Sequence, residues 1–414
     1  MKSRPGGHPR RLCLAALFTA AFALLSISSP TSAQTPNQLD FGIAVPSGQP
    51  GPLAAVETEI GRQVDFVRIF TRWDDNFPVF RDRNVLEERD MALSVRPQTA
   101  DGSLIPWADI AAAQPGDPLH NDMVEWARAI KPFEDQIYFT FHHEPEAVSN
   151  IAHGDASDFI AAWRAFMTVL DDEGVETLGR VWTATDFGFQ VPDNDRRAAN
   201  SWYPGDAWVD VIATDAYNWF NCRDGINSPW YDLEQIIEGL RLFGLEHPSE
   251  HLMLLEFGSA EDPADPNRKA EWFTDAEAMF ARPEYSQFIG AAYFNIDDIR
   301  TGFNCRWSFD TSPISAAGFR ALANSTTFAG APTPAPTPAP APASVCQATV
   351  TASGVTLNWT TNVTPTVIRK NGGWHDTVQT GQTFTDPTGT TADTYQIRIR
   401  PPGAGIIDHP CVVV

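Results

Sequence analysis

The sequence predicts an α/β protein: a (β/α)₈ barrel, then a proline-rich linker, then a small all-β, sandwich-like domain. Residues 38–328 repeat the order of a short apolar run, a loop and an amphipathic helix. Residues 329–344 read AGAPTPAPTPAPAPAS, a composition that favours extended polyproline II and cannot build a core. Residues 345–414 are rich in Thr, Val and Ile and alternate apolar with polar residues, as half-buried strands do.

The barrel is predicted from eight apolar runs, at 41–45, 65–70, 91–95, 136–141, 180–185, 209–214, 252–257 and 291–296. Helix-like stretches with apolar residues at three- and four-residue intervals lie between them, for example at 122–130, 156–174, 233–243 and 268–281. Runs that are apolar on both faces and alternate with helices indicate parallel strands, and eight such units suit a closed barrel. A doubly wound open sheet is the alternative, although no GxGxxG follows an early strand.

The first 33 residues have the features of a secretory signal peptide. Four basic residues precede the apolar run 12–25, and a small-residue stretch ends at Ala33. The alternative, a membrane anchor, needs a longer apolar run of about 17–25 residues. We therefore expect cleavage after Ala33, a secreted, extracellular protein and no membrane association afterwards.

The chain is strongly acidic. Removal of the signal segment moves the net charge from −23 to about −27, because that segment contains only basic charges. Such a surface repels phosphate backbones, which argues against a nucleic-acid partner. It favours solubility and a neutral or cationic substrate, and we expect a monomer.

Cysteine usage fits an oxidising compartment. Of the five cysteines, Cys13 lies in the signal segment, and the remaining four allow three pairings. The division into domains favours Cys222–Cys305 and Cys346–Cys411. The first bridge would join two rim loops of the barrel, and the second would close nearly the whole small domain. No CxxC or Cys/His cluster suggests a metal.

Function in a (β/α)₈ barrel resides at the carboxyl ends of the strands. The polar and aromatic residues at those ends are His142, His143, Glu144, Asp186, Asp215, Tyr217, Trp219, Glu256, Tyr293 and Asn295. Glu144 follows strand four and Glu256 lies on strand seven. Two opposed carboxyl groups about 5–5.5 Å apart are what a retaining glycoside hydrolase needs. A single glutamate at a strand end is more often a helix cap or an ion-pair partner, so the prediction depends on the pair.

A metal site at residues 142–146 is the weaker interpretation. A zinc-binding helix needs His-Glu-x-x-His, and the sequence HHEPE lacks the second histidine at that spacing. Adjacent residues of a strand face opposite sides, so only one of His142 and His143 can share a site with Glu144. We expect the other to be packed and hydrogen-bonded between the barrel and a helix.

Three segments resemble glycoside hydrolase family 26, which consists largely of β-mannanases. They are WYPGDAWVDVIATDAYNW at 202–219, the His-Glu pair at 143–144 and Glu-Phe-Gly at 256–258. The resemblance covers residues 38–328. It implies a (β/α)₈ barrel of the clan of retaining glycosidases with glutamates on strands four and seven.

The resemblance also implies a role for each matching residue. Glu144 would be the acid/base and Glu256 the nucleophile, with Tyr217 donating a hydrogen bond to Glu256 and His143 supporting the adjacent sugar subsite. The implied substrate-binding residues are Trp219, Tyr293, Asp215 and Asn295. Two positions depart from the family pattern: Pro145-Glu146 follows the acid/base glutamate, and Tyr293 stands where tryptophan is common.

Together these features predict a secreted, retaining endo-β-glycosidase that needs no cofactor and takes a polysaccharide as its partner. β-1,4-Mannan is the first candidate substrate, with β-1,3-xylan and mixed-linkage β-glucan as alternatives. The alternative of another class is a non-catalytic carbohydrate-binding barrel, and the enzymatic alternative is a metal-dependent hydrolase. For residues 345–414 we favour an immunoglobulin- or fibronectin-like spacer over a carbohydrate-binding domain built on Trp359 and Trp374.

Overall fold

The computed structural model describes residues 38–48, 50–175, 179–329, 345–351, 354–360, 367–371, 373–377, 383–399 and 407–413. The predicted signal peptide lies outside these residues, as does the predicted linker except for Ala329, which ends a short helix. In the part of the chain that is described, no helix combines the length and the apolar character needed to cross a bilayer.

Eight parallel strands form a closed barrel in chain order, with the last strand paired to the first. They are β1 (Asp40–Ala44), β2 (Phe66–Arg72), β3 (Asp90–Arg96), β4 (Ile137–Phe141), β5 (Gly179–Thr185), β6 (Val211–Asn218), β7 (His251–Ser259) and β8 (Phe288–Phe294). The predicted fold class is therefore confirmed. Strand β6 continues beyond the predicted end at residue 214, so that Asp215 and Tyr217 lie within the strand.

Helices cover the outside of the barrel. Within the described residues they are α1 (Pro50–Ile60), α2 (Phe80–Leu86), α3 (Trp107–Ala112), α4 (Pro118–Ile130), α5 (Ala156–Asp172), α6 (Asp186–Gln190), α7 (Ala199–Trp202), α8 (Leu233–Glu246), α9 (Arg268–Phe280), α10 (Pro313–Ala323) and α11 (Thr326–Ala329). Helix α5 begins where Asp155 accepts hydrogen bonds from the N–H groups of Ser157 and Asp158, which satisfies two donors of its first turn. Its apolar face, which includes Phe159 and Phe166, is fully buried.

Two layers of apolar side chains hold the barrel together. The larger layer lies between strands and helices, and a smaller one fills the barrel interior, with Phe66, Met253 and Leu255 among its members. A Cβ atom at Gly42 would lie 2.3 Å from the ring of Phe66, so the glycine leaves the space that this ring occupies. The interior is thus packed rather than open, and access to the strand ends is from the rim.

The C-terminal residues form a seven-stranded β-sheet within the described residues, all-β as predicted. Its strands, in chain order, are β11 (Val345–Thr351), β12 (Gly354–Thr360), β13 (Val367–Lys370), β14 (Gly373–Thr377), β15 (Thr383–Asp386), β16 (Tyr395–Ile399) and β17 (Ile407–Val413), after a short rim hairpin β9 (Asp298–Arg300) and β10 (Phe303–Cys305). Most of its strands pair antiparallel, but β11 and β17 pair in parallel. Trp359 is buried as its alternation predicted, whereas the side chain of Trp374 lies outside the described part.

Both disulfides, Cys222–Cys305 and Cys346–Cys411, are present. Cys346 and Cys411 are register partners on the parallel pair β11 and β17, so the bridge joins the first and last strands of the C-terminal sheet. The first bridge joins the start of the loop after β6 to β10.

Replacing Cys346 and Cys411 by serine is expected to destabilise the C-terminal sheet by about 4 kcal/mol, because a bridge that spans 65 residues restricts the unfolded chain strongly. Calorimetry should show one thermal transition moving to lower temperature. The matched control is the Cys222→Ser, Cys305→Ser variant, which should leave that transition in place. Identical melting of both double variants and wild type would contradict the prediction.

Candidate active site

Glu144 lies on a sharply bent segment just after β4. Both His142 and Glu144 have a positive φ, 49° and 50°, a conformation that costs a residue other than glycine about 1–2 kcal/mol. Backbone hydrogen bonds stabilise the bend: Glu144 N donates to Thr183 O at 2.9 Å, and Asn150 Nδ2 donates to Glu144 O at 2.8 Å. Strained backbone that its surroundings hold in place is common at functional sites.

Glu146 anchors the same segment to the end of β5. Its Oε1 accepts hydrogen bonds from the N–H of Thr185 at 2.6 Å and from the hydroxyl of Thr185 at 2.5 Å. The side chain is fully buried, and burial raises the pKa of Glu146 to about 6 despite these bonds. The residue that departs from the family pattern therefore positions the loop of Glu144.

The two histidines face opposite sides of β4, as the strand alternation predicted. His142 is buried outside the barrel, where its Nδ1 accepts a hydrogen bond from Trp107 Nε1 at 3.1 Å. His143 faces the cleft, with Nδ1 2.8 Å from the hydroxyl of Ser94 and its ring against Phe70. Burial lowers the pKa of His143 well below its usual value, and the nearby Arg68 and Arg96 lower it further. His143 is therefore a neutral imidazole at pH 7.

Glu256 lies on β7 between a phenol and a guanidinium. Tyr217 donates its hydroxyl to Glu256 Oε2 at 2.6 Å, and Arg68 Nη2 lies 3.6 Å from Oε1. Burial raises the pKa of Glu256, whereas Arg68 and then Tyr217 act in the opposite direction. Both partners favour an ionised carboxylate with a fixed orientation. Arg68 was missed in the sequence, although a lone arginine within the apolar run DFVRIF is a signal.

Glu144 has the contrasting environment. Burial is the main cause that raises its pKa, followed by the charges of Glu256, Glu146 and Asp186, and together they bring it to about 8. Burial, followed by the charges of Glu256 and Glu144, raises the pKa of Asp215 well above its usual value, and both of its oxygen atoms lack a hydrogen-bond partner among the described residues. At neutral pH Glu144 retains a proton, as a general acid must, while the cation beside Glu256 favours the ionised form that a nucleophile needs.

Glu256 and Glu144 line two arms of a cleft at the rim. The first arm, about 570 Å³, is bordered by Phe70, Arg72, Arg96, His143, Glu256 and Phe294, among others. The second arm, about 640 Å³, is bordered by residues that include Glu144, Asp186, Asp215, Tyr217 and Trp219. Trp219 is half-buried and packs against Trp307, with ring centroids 5.1 Å apart. The cleft thus brings together the predicted glutamates, His143, Asp215, Tyr217 and Trp219.

Two residues predicted to bind sugar have other positions. Tyr293 is fully buried, packs against Phe273 and Phe319 on the outer face of β8, and donates its hydroxyl to Trp307 O at 2.6 Å. The prediction of a sugar platform at Tyr293 is wrong, because the strand alternation turns this ring toward the helices. Asn295 holds the following loop, since its Oδ1 accepts a hydrogen bond from Phe309 N at 3.0 Å. This bond occupies the side-chain oxygen that was predicted to contact a sugar.

No group of three or more His, Cys, Asp or Glu side chains is arranged to hold a metal ion within the residues that the structure describes. The charged groups of the cleft instead form carboxyl–arginine and carboxyl–tyrosine contacts around Glu256.

Part of the barrel is similar in sequence to a known family. Residues 154–249, which include the segment 202–219, match the family model for glycosyl hydrolase family 26. Endoglucanase H of Acetivibrio thermocellus is 23% identical over 272 residues, which are 63% of this chain. The chain spans only 27% of the length of that relative.

Solved structures share the fold. A modular endo-β-1,4-mannanase from Cellulomonas fimi aligns with a TM-score of 0.50 and 18% identity, covering 92% of this chain and 94% of its own. A family 26 β-mannanase from Bacteroides ovatus aligns with a TM-score of 0.48 and 16% identity over 70% of this chain and 90% of its own. The Cellulomonas fimi structure therefore shares its fold with most of this chain. Residues 154–249 of this chain, which lie within the closed eight-stranded barrel, are thus similar in sequence to glycosyl hydrolase family 26.

Proposed function

We propose that this protein is a secreted, retaining endo-β-glycosidase with Glu144 as acid/base and Glu256 as nucleophile. The observation that supports this most strongly is the contrast between the half-buried Glu144 and the buried Glu256 at the rim of one barrel. Glu144 lies among other carboxyl groups that keep it protonated, and Glu256 lies between Arg68 and Tyr217, which favour its ionised form. Neither glutamate falls within the matched segment 154–249, so their roles rest on this geometry and on the motif resemblance.

The reaction follows from these two states. Glu144 donates its proton to the glycosidic oxygen while Glu256 attacks the anomeric carbon, so that the aglycone leaves and a glycosyl ester forms. Ester formation removes the negative charge of Glu256, one of the charges that raise the pKa of Glu144. Glu144 then ionises more readily and takes a proton from the water that attacks the ester. Two displacements at the anomeric carbon leave its configuration unchanged.

β-1,4-Mannan is the first candidate substrate, because a solved structure that is similar over 92% of this chain is an endo-β-1,4-mannanase. Mixed-linkage β-glucan and β-1,3-xylan are the alternatives, and the similarity to a protein named Endoglucanase H supports testing a β-glucan.

We assign hydrolysis to residues 38–328 and a spacer role to 345–414. Two disulfides within the described residues support folding in an oxidising compartment, as secretion requires.

The experiment is reducing-sugar release from mannan, glucomannan, β-1,3-xylan and mixed-linkage β-glucan by wild type, Glu144→Gln and Glu256→Gln. We expect release from at least one polymer by wild type and its loss in both variants. A Glu250→Gln variant is the matched control, because Glu250 is a buried glutamate outside the cleft that accepts a hydrogen bond from Ser249. Release that survives in both cleft variants would place the site elsewhere. Binding of a polymer without release by wild type would favour the non-catalytic alternative.

The pH profile should report the proton on Glu144. Because Glu144 must be protonated to act as an acid and its pKa is about 8, kcat/KM should fall as the pH rises through about 8. The negative charge of Glu146 raises the pKa of Glu144, so Glu146→Gln should move this alkaline limb to lower pH. Glutamine retains the oxygen that accepts from Thr185, which separates the charge effect from loss of the anchor. An unchanged alkaline limb in Glu146→Gln would contradict this account.

A further inference from the structure

The first arm of the cleft contains two arginines that lie side by side. Arg72 and Arg96 are register partners at the carboxyl ends of β2 and β3, and both border this arm with Glu256 and His143. Register partners on neighbouring strands lie about 4.8 Å apart and project from the same face of the sheet. Like charges on neighbouring side chains repel each other, and an anion bound between them relieves this repulsion.

The protein itself does little to neutralise this pair. Arg72 Nη1 and Arg96 Nη2 make long hydrogen bonds, each 3.4 Å, to the uncharged oxygens of Ala100 and Asn150. Arg96 Nε is buried and has no hydrogen-bond partner among the described residues. The carboxylate of Asp75, which also borders the arm, accepts from the backbone N–H of Arg72.

This arrangement is unusual on a chain with a net charge of −23. Many arginines elsewhere on the protein pair with carboxylates, as Arg89 does with Glu57 and Arg128 with Glu173, although Arg164 bonds to the carbonyl oxygen of Pro204. The arginines of the second arm lie over aromatic rings: Arg197 over Phe187, and Arg223 over Trp219. Arg72 and Arg96 thus place two guanidinium groups that form no ion pair among the described residues beside Glu256, in the arm where the sugar that forms the glycosyl ester would lie.

We propose that Arg72 and Arg96 form a subsite for a carboxylate-bearing sugar, so that the preferred substrate is a β-glycan whose glycone side carries a uronic acid. A guanidinium group matches a carboxylate with two parallel hydrogen bonds, which favours a planar carboxylate over a hydroxyl group. The subsite deepens the proposed function and rests on it, since it assigns the glycone to the arm of Glu256. The net charge alone favoured a neutral or cationic substrate, and this proposal replaces that expectation with an anionic one.

The test compares one polymer with and without its charge. Glucuronate-substituted β-mannan, glucuronate-substituted β-xylan and β-1,4-linked polymannuronate are each assayed beside the same polymer after chemical reduction of the carboxyl groups. We expect kcat/KM on at least one acidic polymer to exceed that on its reduced form by about tenfold or more, the range of a charge-assisted hydrogen bond. High salt should diminish the difference. Hydrolysis in heavy-oxygen water should place the label on the acidic fragment, because the glycone receives the new reducing end.

Arg72→Gln and Arg96→Gln should each lower kcat/KM about tenfold on the acidic polymer and little on its reduced form. Arg128→Gln is the matched control, because Arg128 is an exposed arginine on α4 that pairs with Glu173 and does not border the cleft. Equal losses on both forms would mean that the arginines bind hydroxyl groups and would overturn the proposal. A higher rate on the reduced polymers would overturn it as well, while leaving the proposed hydrolysis in place.

Calorimetric titration with a uronic-acid oligosaccharide and its reduced counterpart separates this proposal from the proposed function. Binding of the acidic form alone, lost in the Arg72→Gln, Arg96→Gln double variant, would support the subsite even in a chain that hydrolyses none of the polymers. Equal binding of both forms, or none, would overturn the subsite even in a chain that hydrolyses neutral mannan.

Discussion

The Glu144→Ala variant should hydrolyse the polysaccharide about 10²–10⁴-fold more slowly than wild type. On a glycoside with a good leaving group, it should still form the glycosyl-enzyme at a rate close to that of wild type. The range is that of general acid catalysis, which a dinitrophenyl glycoside does not need because its leaving group departs without a proton. The second step still needs a base, so the glycosyl-enzyme should accumulate. Added azide, which needs no deprotonation, should restore turnover and yield a glycosyl azide of retained configuration.

The measurement uses the dinitrophenyl glycoside of whichever sugar the polymer panel identifies, with and without azide. Glu250→Gln is again the control, and it should behave as wild type on both substrates because Glu250 lies outside the cleft. Equal losses on the polymer and on the activated glycoside, with no response to azide, would mean that Glu144 supports the fold rather than donates a proton.

Arg68→Met should lower kcat/KM about 10²-fold and move the acidic limb of the pH profile to higher pH. The positive charge of Arg68 lowers the pKa of Glu256, so its removal raises that pKa, and Glu256 becomes protonated and unable to attack at a higher pH than before. The rate loss is of the size seen when one preorganised electrostatic partner is removed. In Arg68→Lys the acidic limb of the pH profile should return close to its wild-type position, because lysine keeps the positive charge. kcat/KM should recover less, because lysine lacks the planar guanidinium group.

Loss of stability is the competing explanation for such a variant, since breaking a buried ion pair costs about 3–5 kcal/mol. Arg89→Met provides the matched control. Arg89 is also buried and pairs with Glu57, with its Nη2 2.7 Å from Oε2, but the pair lies away from the cleft. Both variants should melt at lower temperature, and only Arg68→Met should shift the acidic limb. The same limb in both variants would refute a role of Arg68 at Glu256.

The barrel and the position of its cleft could be predicted from the sequence because they depend on periodic patterns. Apolar runs alternating with amphipathic helices specify parallel strands, and in a barrel all eight strands end at one rim. That topology alone places Glu144 and Glu256 at the same rim, although 112 residues separate them. The opposite orientations of His142 and His143 follow from the two-residue period of a strand.

Features that depend on tertiary contacts were missed. Arg68 is one residue in an apolar run, and only the closed barrel brings it to Glu256 on β7. Glu146 stood out in the sequence only as a departure from the family pattern, because the hydrogen bonds to Thr185 by which it anchors the bend form only in the folded barrel. Tyr293 was assigned to the cleft because it lies near a strand end, but one step along the strand reverses the face of a side chain.

Trapping the glycosyl-enzyme is the most direct test of Glu256 as the nucleophile. A fluorosugar with a good leaving group slows both displacements, the second more than the first, so that the ester persists for peptide mass spectrometry. We expect the label on Glu256 and no label on the Glu256→Gln variant. The product of the unmodified substrate should keep its anomeric configuration. A label on another residue, or an inverted product from an active enzyme, would contradict this role of Glu256.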